Sequence, residues 1–514
     1  MITVLVLGNI LGDNGIAYVA FSVECFMLFW TFTGNGLADT LGKLLRGRSA
    51  RGQYKNASKL RRNALILEFA VGVLGSAVMF ACAGVLGEKL FELNYCIAMI
   101  RVLAPVVCLR ALSSVLLGYF QGEGTELPTV ISHLMRQICI LIFSLIFAEL
   151  LGRYGQKVSA LLKQENFTAM YGGLGVALGI LVSETLVLLF LFLVYRGSRG
   201  KEKKTGGEGM RTTDTFGSQV YILYGGLFPL VLTMFFQKLP IWLGMVFFRR
   251  SIAEVSGLSD YGVFYGRYLP LIGILILPGC AILLRYSYKV AGCLRKEEQR
   301  YARGHFGGGL HMGVIYGFFF SVFMTALAPQ LAGIFCSTGQ EQAAQMLRYG
   351  SFVILFALVG FFFSELLVMM GGDFQVIGAL ALCNLVFVIS LVLFLNSGHL
   401  GILSLVDAGV ISSAVYAAAT GTLLFLQIRI GIDWLQWFVV PGGASFVAGL
   451  VILLISKGIT PHLGNLMTVA ICLAVGLICY WLILLLMRNF REQELNYIPG
   501  GKLIRTAGRI LRLY

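Results

Sequence analysis

Charge is scarce in this chain. Asp, Glu, Lys and Arg make up 13% of its 514 residues, against about 25% in ordinary soluble domains. Apolar residues make up 58%, and the mean hydropathy is +0.83. Such a chain would precipitate as a soluble globule, so a soluble enzyme, a disordered chain and a fibrous one are all excluded. Proline is scarce at 10 residues, and the five histidines lack metal-ligand spacing. The eleven cysteines form no C-x-x-C pair, so neither a zinc nor a redox centre is expected. There is no Walker A loop, no G-x-S-x-G and no H-E-x-x-H. Gly122-Glu123-Gly124 is a lone G-x-G that reads as a turn. The sequence therefore predicts no nucleotide hydrolysis, no catalytic residue, no metal and no cofactor.

What the chain has instead is long apolar runs. In hydrocarbon every span must satisfy its own backbone, so spans are helices or a closed barrel. The runs here do not alternate, which selects helices. About fourteen segments are read, near 1–11, 16–42, 63–86, 95–119, 130–151, 170–195, 218–248, 261–285, 309–334, 346–370, 375–396, 401–427, 434–456 and 464–487. The first falls short of the roughly 20 residues a span needs, and it lacks the basic start and cleavage site of a signal peptide. Gly175 and Gly179 lie four apart in one span and suit a close helix contact, either for plain packing or for a moving interface.

The net charge of +15 fits basic loops facing anionic lipid, with no call for nucleic acid. Residues 43–62 carry eight basic residues and no acid. The loops 196–217 and 285–308 and the tail from Arg488 to Arg512 are basic too, and fourteen segments put all four on one side. Both termini are therefore expected in the cytoplasm. The glycine- and lysine-rich stretch 196–217 reads as a linker. In the tail 489–514, Leu503, Ala507, Ile510 and Tyr514 share one helical face, and Arg505, Arg509 and Arg512 share another. That suits a helix on the inner leaflet, or else a disordered basic tail.

Two short patterns recur in order. Leu11 to Tyr18 and Leu258 to Tyr265 share L-x-D-x-G-[IV]-x-Y, and Ala50-Arg51-Gly52-Gln53-Tyr54 matches Ala302-Arg303-Gly304-His305-Phe306. An even number of spans separates the copies, which predicts two halves of parallel orientation, as in alternating-access transporters. By this repeat the first copy lacks about twenty residues of its first helix, through a misplaced start or a real truncation.

Gly118-Tyr119-Phe120-Gln121-Gly122, followed by Pro128-Thr129 and Ser132, resembles the G-Y-F-Q-G…P-T-x-x-S signature of stage V sporulation protein B-like proteins. Ala50-Arg51-Gly52-Gln53-Tyr54 and Asn496-Tyr497-Ile498-Pro499 fit the same family. Leu117, His133 and Arg136 stand where that family often has arginine, glutamine and glutamate. The resemblance spans nearly the whole chain and points to the multidrug/oligosaccharidyl-lipid/polysaccharide (MOP) exporter superfamily, beside the lipid II flippases. It implies an all-α polytopic fold, MATE- and lipid II flippase-like: an N-lobe (1–195), a cytoplasmic linker (196–217), a C-lobe (218–427), two further helices (428–488) and the tail (489–514). It implies a central cavity, rocking between lobes, and flipping of an undecaprenyl-diphosphate-linked saccharide across the bacterial cytoplasmic membrane. Partners would be that lipid, anionic phospholipid and envelope-synthesis glycosyltransferases.

Six basic residues fall inside predicted spans: Arg101, Arg110, Arg136, Lys238, Arg267 and Arg348. At roughly 2.5–3.5 kcal/mol each, lipid exposure of all six would cost on the order of 15–20 kcal/mol, more than a typical folding stability. Each must snorkel, pair with an acid, or face a wet cavity. Arg101 and Arg348 sit near span ends and can snorkel. Arg110, Arg136, Lys238 and Arg267 are the candidate cavity residues, because guanidinium groups grip diphosphate oxygens with bidentate, charge-assisted bonds. The alternative is pairing within the membrane, for which Glu24, Glu68, Glu184 and Glu365 are among the available acids. Glu24, Glu184 and Glu365 are also the candidate coupling sites of a rival reading, a cation-coupled multidrug or metabolite exporter. A non-transporting scaffold for envelope synthesis is the third reading. Pro240, two residues after Lys238, predicts a break or kink in the seventh span.

Overall fold

The computed structural model describes residues 2–164, 166–202, 214–252, 257–396, 401–428, 433–490 and Arg505. Residues 203–213 of the linker 196–217, all of Asn496–Pro499 and the tail pattern apart from Arg505 lie outside these residues. No strand occurs among the described residues. Among the described residues twelve helices are long and apolar enough to cross a membrane, or thirteen if the bent pair Gln340–Gly350 and Val353–Met369 forms one span. The chain is a multi-pass membrane protein. The difference from fourteen lies at the start. Segment 1–11 and most of 16–42 form α1 (Ile2–Thr33), two helical pieces that meet at a kink where Gly12 has φ 68° and ψ 174°, and both fall within one candidate span. That non-helical backbone is open to glycine at little cost, so the short first piece ends there, as the sequence reading has it.

The chain forms two compact units, which divide at Arg250/Ser251, with residues up to Leu5 grouped with the second. The first unit holds most of α1, then α2 (Leu37–Ala50), α3 (Tyr54–Gly84), α4 (Cys96–Gly122), α5 (Leu127–Leu162), α6 (Asn166–Glu202) and α7 (Phe216–Phe247). Helices α5 and α6 pack closely because Gly175 and Gly179 carry no side chain. A methyl group at Gly179 would sit 2.5 Å from Ser144 Cα, and one at Gly175 would strike the Phe147 carbonyl. The G-Y-F-Q-G segment ends α4 and serves the same purpose. A methyl at Gly118 would come within 3.0 Å of the Ala38 carbonyl, and Arg46 Nη2 donates to the Gln121 carbonyl at 2.7 Å.

Helix α7 packs with this unit, whereas the sequence reading puts it at the head of the second half. Leu223 and Leu227 join Leu37, Leu41, Leu60 and Val115 in one buried cluster. A polar seam ties α7 to α3. Asn63 Nδ2 donates to Gln219 Oε1 at 2.7 Å, and the Tyr224 hydroxyl donates to Glu68 Oε1 at 3.1 Å. Helix α7 also runs unbroken through Pro229 and Pro240. The break expected at Pro240 is absent, since neighbouring groups can satisfy the backbone that a membrane proline frees.

The second unit comprises α8 (Leu258–Val263), α9 (Leu269–Arg295), α10 (Gln299–Ala326), α11 (Ala328–Phe335), α12 (Gln340–Gly350), α13 (Val353–Met369), α14 (Asp373–Asn396), α15 (Leu403–Gln427) and α16 (Val440–Leu486), the last turning at Gly464 with φ 72°. Of the two repeated patterns, the second is not structurally equivalent. Gly52 (φ 71°) makes the turn between α2 and α3, whereas Gly304 lies inside α10. The matching turn falls at Glu297, with φ 60°.

Candidate functional site: an arginine–glutamate–arginine cluster

Three helices of the first unit bring their charges together. Glu184 on α6 is fully buried between Arg110 on α4 and Arg136 on α5. Arg110 Nε lies 2.8 Å from Glu184 Oε1. Arg136 Nε lies 3.1 Å from both carboxylate oxygens. The arginine side chains are 12% and 11% exposed and the carboxylate 0%. Removing one partner of such a buried pair costs about 3–5 kcal/mol, so the carboxylate holds the cluster together. Two guanidiniums share one carboxylate, which leaves one positive charge in excess.

Aromatic faces complete the site. The Arg110 guanidinium lies 5.0 Å from the Phe26 ring centroid and 4.8 Å from that of Trp30, both on α1. Such contacts contribute about 0.5–2 kcal/mol, more as the site dries. His133 Nδ1 lies 3.2 Å from Arg136 Nη1. Ser113 and Ser114, beside Arg110 on α4, donate to the Leu109 and Arg110 carbonyls of their own helix, each at 2.9 Å.

The opposite face of α1 carries a second ion pair. Glu24 and Phe26 are about 200° apart around a helix, so α1 separates the two sites. Lys238 Nζ on α7 lies 3.6 Å from Glu24 Oε1, and Trp242 Nε1 donates to Glu24 Oε2 at 3.2 Å. The lysine side chain is 40% exposed and the glutamate 3%. Here charge is matched one to one.

Arg267 and Glu365 are not part of either cluster and belong to the second unit. Arg267 is fully buried, and its Nη1 donates to the Leu5 carbonyl at 2.8 Å and the Phe335 carbonyl at 3.0 Å. Phe335 ends α11, so Arg267 caps carbonyls left over at a helix C-terminus, where a cation also meets the favourable end of the dipole. Both bonds tie Arg267 to the backbone of its own unit. Glu365 on α13 is half-buried near Cys280 and Tyr416, with no basic partner among the described residues. Arg101 lies over the Phe80 ring at 5.6 Å, and Arg348 is exposed.

Sequence reasoning passed over Phe26, Trp30 and Trp242. A signal was present for the first two, since aromatics four residues apart share a helix face. No spacing pointed to Trp242.

Residues 1–205, which include the whole arginine–glutamate–arginine cluster, match the family described as polysaccharide biosynthesis protein. Stage V sporulation protein B of Bacillus subtilis (strain 168) is 22% identical over 515 residues, covering 97% of this chain and 94% of that protein. An inward-facing multidrug resistance MATE transporter of the MOP superfamily superposes with a TM-score of 0.68 at 15% identity, over 84% of this chain and 95% of that one. The chain shares the fold of that MOP-superfamily transporter. The lipid II flippase MurJ, in an inward closed conformation, shares the fold with a TM-score of 0.63 at 12% identity, over 93% of this chain and 96% of that one. Both of these structures are of membrane transport proteins, and the likeness is one of fold.

Proposed function

We propose that this chain is a flippase of the MOP superfamily, which moves an undecaprenyl-diphosphate-linked saccharide across the bacterial cytoplasmic membrane by alternating access, with both termini in the cytoplasm. One observation carries the reading. Arg110 and Arg136 share a single buried carboxylate, and the surplus positive charge suits a diphosphate. In this scheme Glu184 holds both guanidiniums in place between substrates, Phe26 and Trp30 fix the plane of Arg110, and the prenyl chain stays in lipid. Envelope glycosyltransferases would supply or consume the saccharide. The match of residues 1–205 to a polysaccharide biosynthesis family and the fold shared with a lipid II flippase both support this reading.

The test is transport in proteoliposomes loaded with a labelled undecaprenyl-diphosphate saccharide. Arg110→Ala and Arg136→Ala should each slow translocation about tenfold or more, the loss of one charge-assisted contact. Wild-type rates in both variants at equal folded protein would remove the site from the mechanism. The rival cation-coupled exporter needs an acid without a resident cation, and Glu365 is the candidate acid that meets this. Drug efflux abolished by Glu365→Gln, with lipid translocation absent from the wild type, would favour that rival. A co-purifying glycosyltransferase with no translocation of any kind would favour the scaffold.

A further inference from the structure

Glu68 on α3 is a membrane acid without a counter-ion. Its sequence position offers it as a pairing partner for a cation in hydrocarbon, yet no basic side chain meets it among the described residues. It is as deeply buried as Glu184, at 0% exposure. Its Oε1 accepts from the Tyr224 hydroxyl at 3.1 Å, and its Oε2 meets no donor of the protein. An isolated carboxylate in a low dielectric is so costly that the group takes up a proton instead.

The acid sits in the polar seam between α3 and α7. The Asn63–Gln219 and Glu68–Tyr224 bonds each join residues 156 apart, so the two helices run side by side in one direction at constant register. The two bonds stand about 7.5 Å apart along the axis. Asn63–Gln219 is the nearer to the basic stretch 43–62. Gln219 is 1% exposed, and its Nε2 meets no acceptor of the protein. The seam is thus a short polar ladder from the basic end of α3 to Glu68.

Beyond Glu68 the ladder stops. A methyl at Gly72, one turn on, would come within 3.0 Å of Cys108 Cα, so α3 and α4 close together there. Tyr224 is the titratable group that faces Glu68 from α7, and it packs against an apolar cluster that includes Leu37 and Leu41 of α2 and Val115 of α4. On α2, Asp39 and Lys43 are exposed. On α4, Cys108 lies at the level of Gly72, and Arg110 turns to Glu184. Glu88 and Lys89 lie at the far end of the span, about 30 Å along the axis. A metal cation would need several oxygen ligands. Here Gln219 Oε1 is taken by Asn63 Nδ2, and the remaining Gln219 group is a donor. A proton needs one oxygen.

We infer that Glu68 is a proton-binding site that latches α7 to α3. With the seam closed, Glu68 is the neutral acid, its proton on Oε2 and its Oε1 held by Tyr224. Parting of the two helices lets water reach the carboxyl from the basic end of the ladder. The O–H bond then breaks, the proton passes to that water, and the carboxylate stays hydrated until the seam closes again. Proton binding and closure therefore favour each other. The closed seam is firmest in acid and loosens as pH rises, because opening releases a proton. The inference is independent of the Arg110 site and of the substrate carried.

The test is infrared spectroscopy of the purified full chain in proteoliposomes, joined to hydrogen exchange of the α7 amides. At neutral pH the wild type should show the carbonyl stretch of a buried carboxylic acid that Glu68→Gln lacks. Tyr224→Phe leaves the acid in place but removes the bond to Oε1, so the band should stay and move to higher frequency. Protection across Gln219–Leu227, corrected for the intrinsic rate, should fall with rising pH in the wild type. The fall is at most about tenfold per pH unit, one proton being released per opening. Glu68→Gln keeps the shape of the neutral acid, so its protection should not change with pH. An acid band equal in the wild type and Glu68→Gln overturns the inference. So does a band unmoved by Tyr224→Phe, or a pH dependence that survives in Glu68→Gln. Arg110→Ala should leave both readouts unchanged, so a failure of the latch and a failure of flipping are read separately.

Discussion

Arg110 and Arg267 are alike in the sequence, each an arginine within an apolar run. Their surroundings differ in kind. Arg110 meets a carboxylate that a second arginine also uses, so its cluster holds more positive charge than negative. Arg267 meets backbone carbonyls and is sealed at 0% exposure. Both solve the problem of a cation in hydrocarbon. In the proposed function one solution leaves charge for an anion, and the other uses the Arg267 Nη1 in holding two chain segments together. Burial alone therefore does not mark a binding residue; the partner and the balance of charge do.

Glu184→Gln attacks the comparison hardest. It leaves two buried guanidiniums without their shared anion, and a loss of about 3–5 kcal/mol is expected. A large fall in Tm in detergent checks this. An unchanged Tm would mean that the carboxylate does not anchor the cluster. Next comes Arg267→Met, which orphans two buried carbonyls at about 1–3 kcal/mol each. Its Tm should fall while transport per folded molecule stays at the wild-type rate. A selective loss of transport would return Arg267 to the list of substrate contacts. Arg110→Ala should do the reverse. Arg136 still pairs with Glu184, so the stability loss stays below that of Glu184→Gln, while translocation falls steeply. Lys238→Ala should be the mildest, at about 1 kcal/mol or less, because the pair is long at 3.6 Å and its lysine half-exposed. A change larger than that of Arg110→Ala would make the Lys238–Glu24 pair the more important site.

The membrane helices were legible because hydropathy acts residue by residue along each run. The close contact at Gly175 and Gly179 was legible for a similar reason, since the absence of a side chain is a local fact. Local chemistry misled at two places. Pro240 suggested a break that α7 does not make, and Ala302–Phe306 was read in a loop whose turn falls instead at Glu297. At each, the surroundings of the helix outweighed the short-range preference. The short first segment was read correctly, since Gly12 interrupts the helix there.

The candidate site divides along the same line. Cost alone required that Arg110, Arg136, Lys238 and Arg267 be paired, capped or hydrated, since charge in hydrocarbon is expensive. Which fate each met depends on residues 48 to 262 positions away, from the Arg136–Glu184 pair to the Arg267–Leu5 contact. Composition and periodicity by themselves determined a polytopic helical membrane protein and named the charges that needed an explanation. Only the packing of α4, α5 and α6 decided that two arginines would share one glutamate. Side-chain electrostatics acts over a few ångströms in space, and the sequence orders residues along a chain without saying which of them will meet.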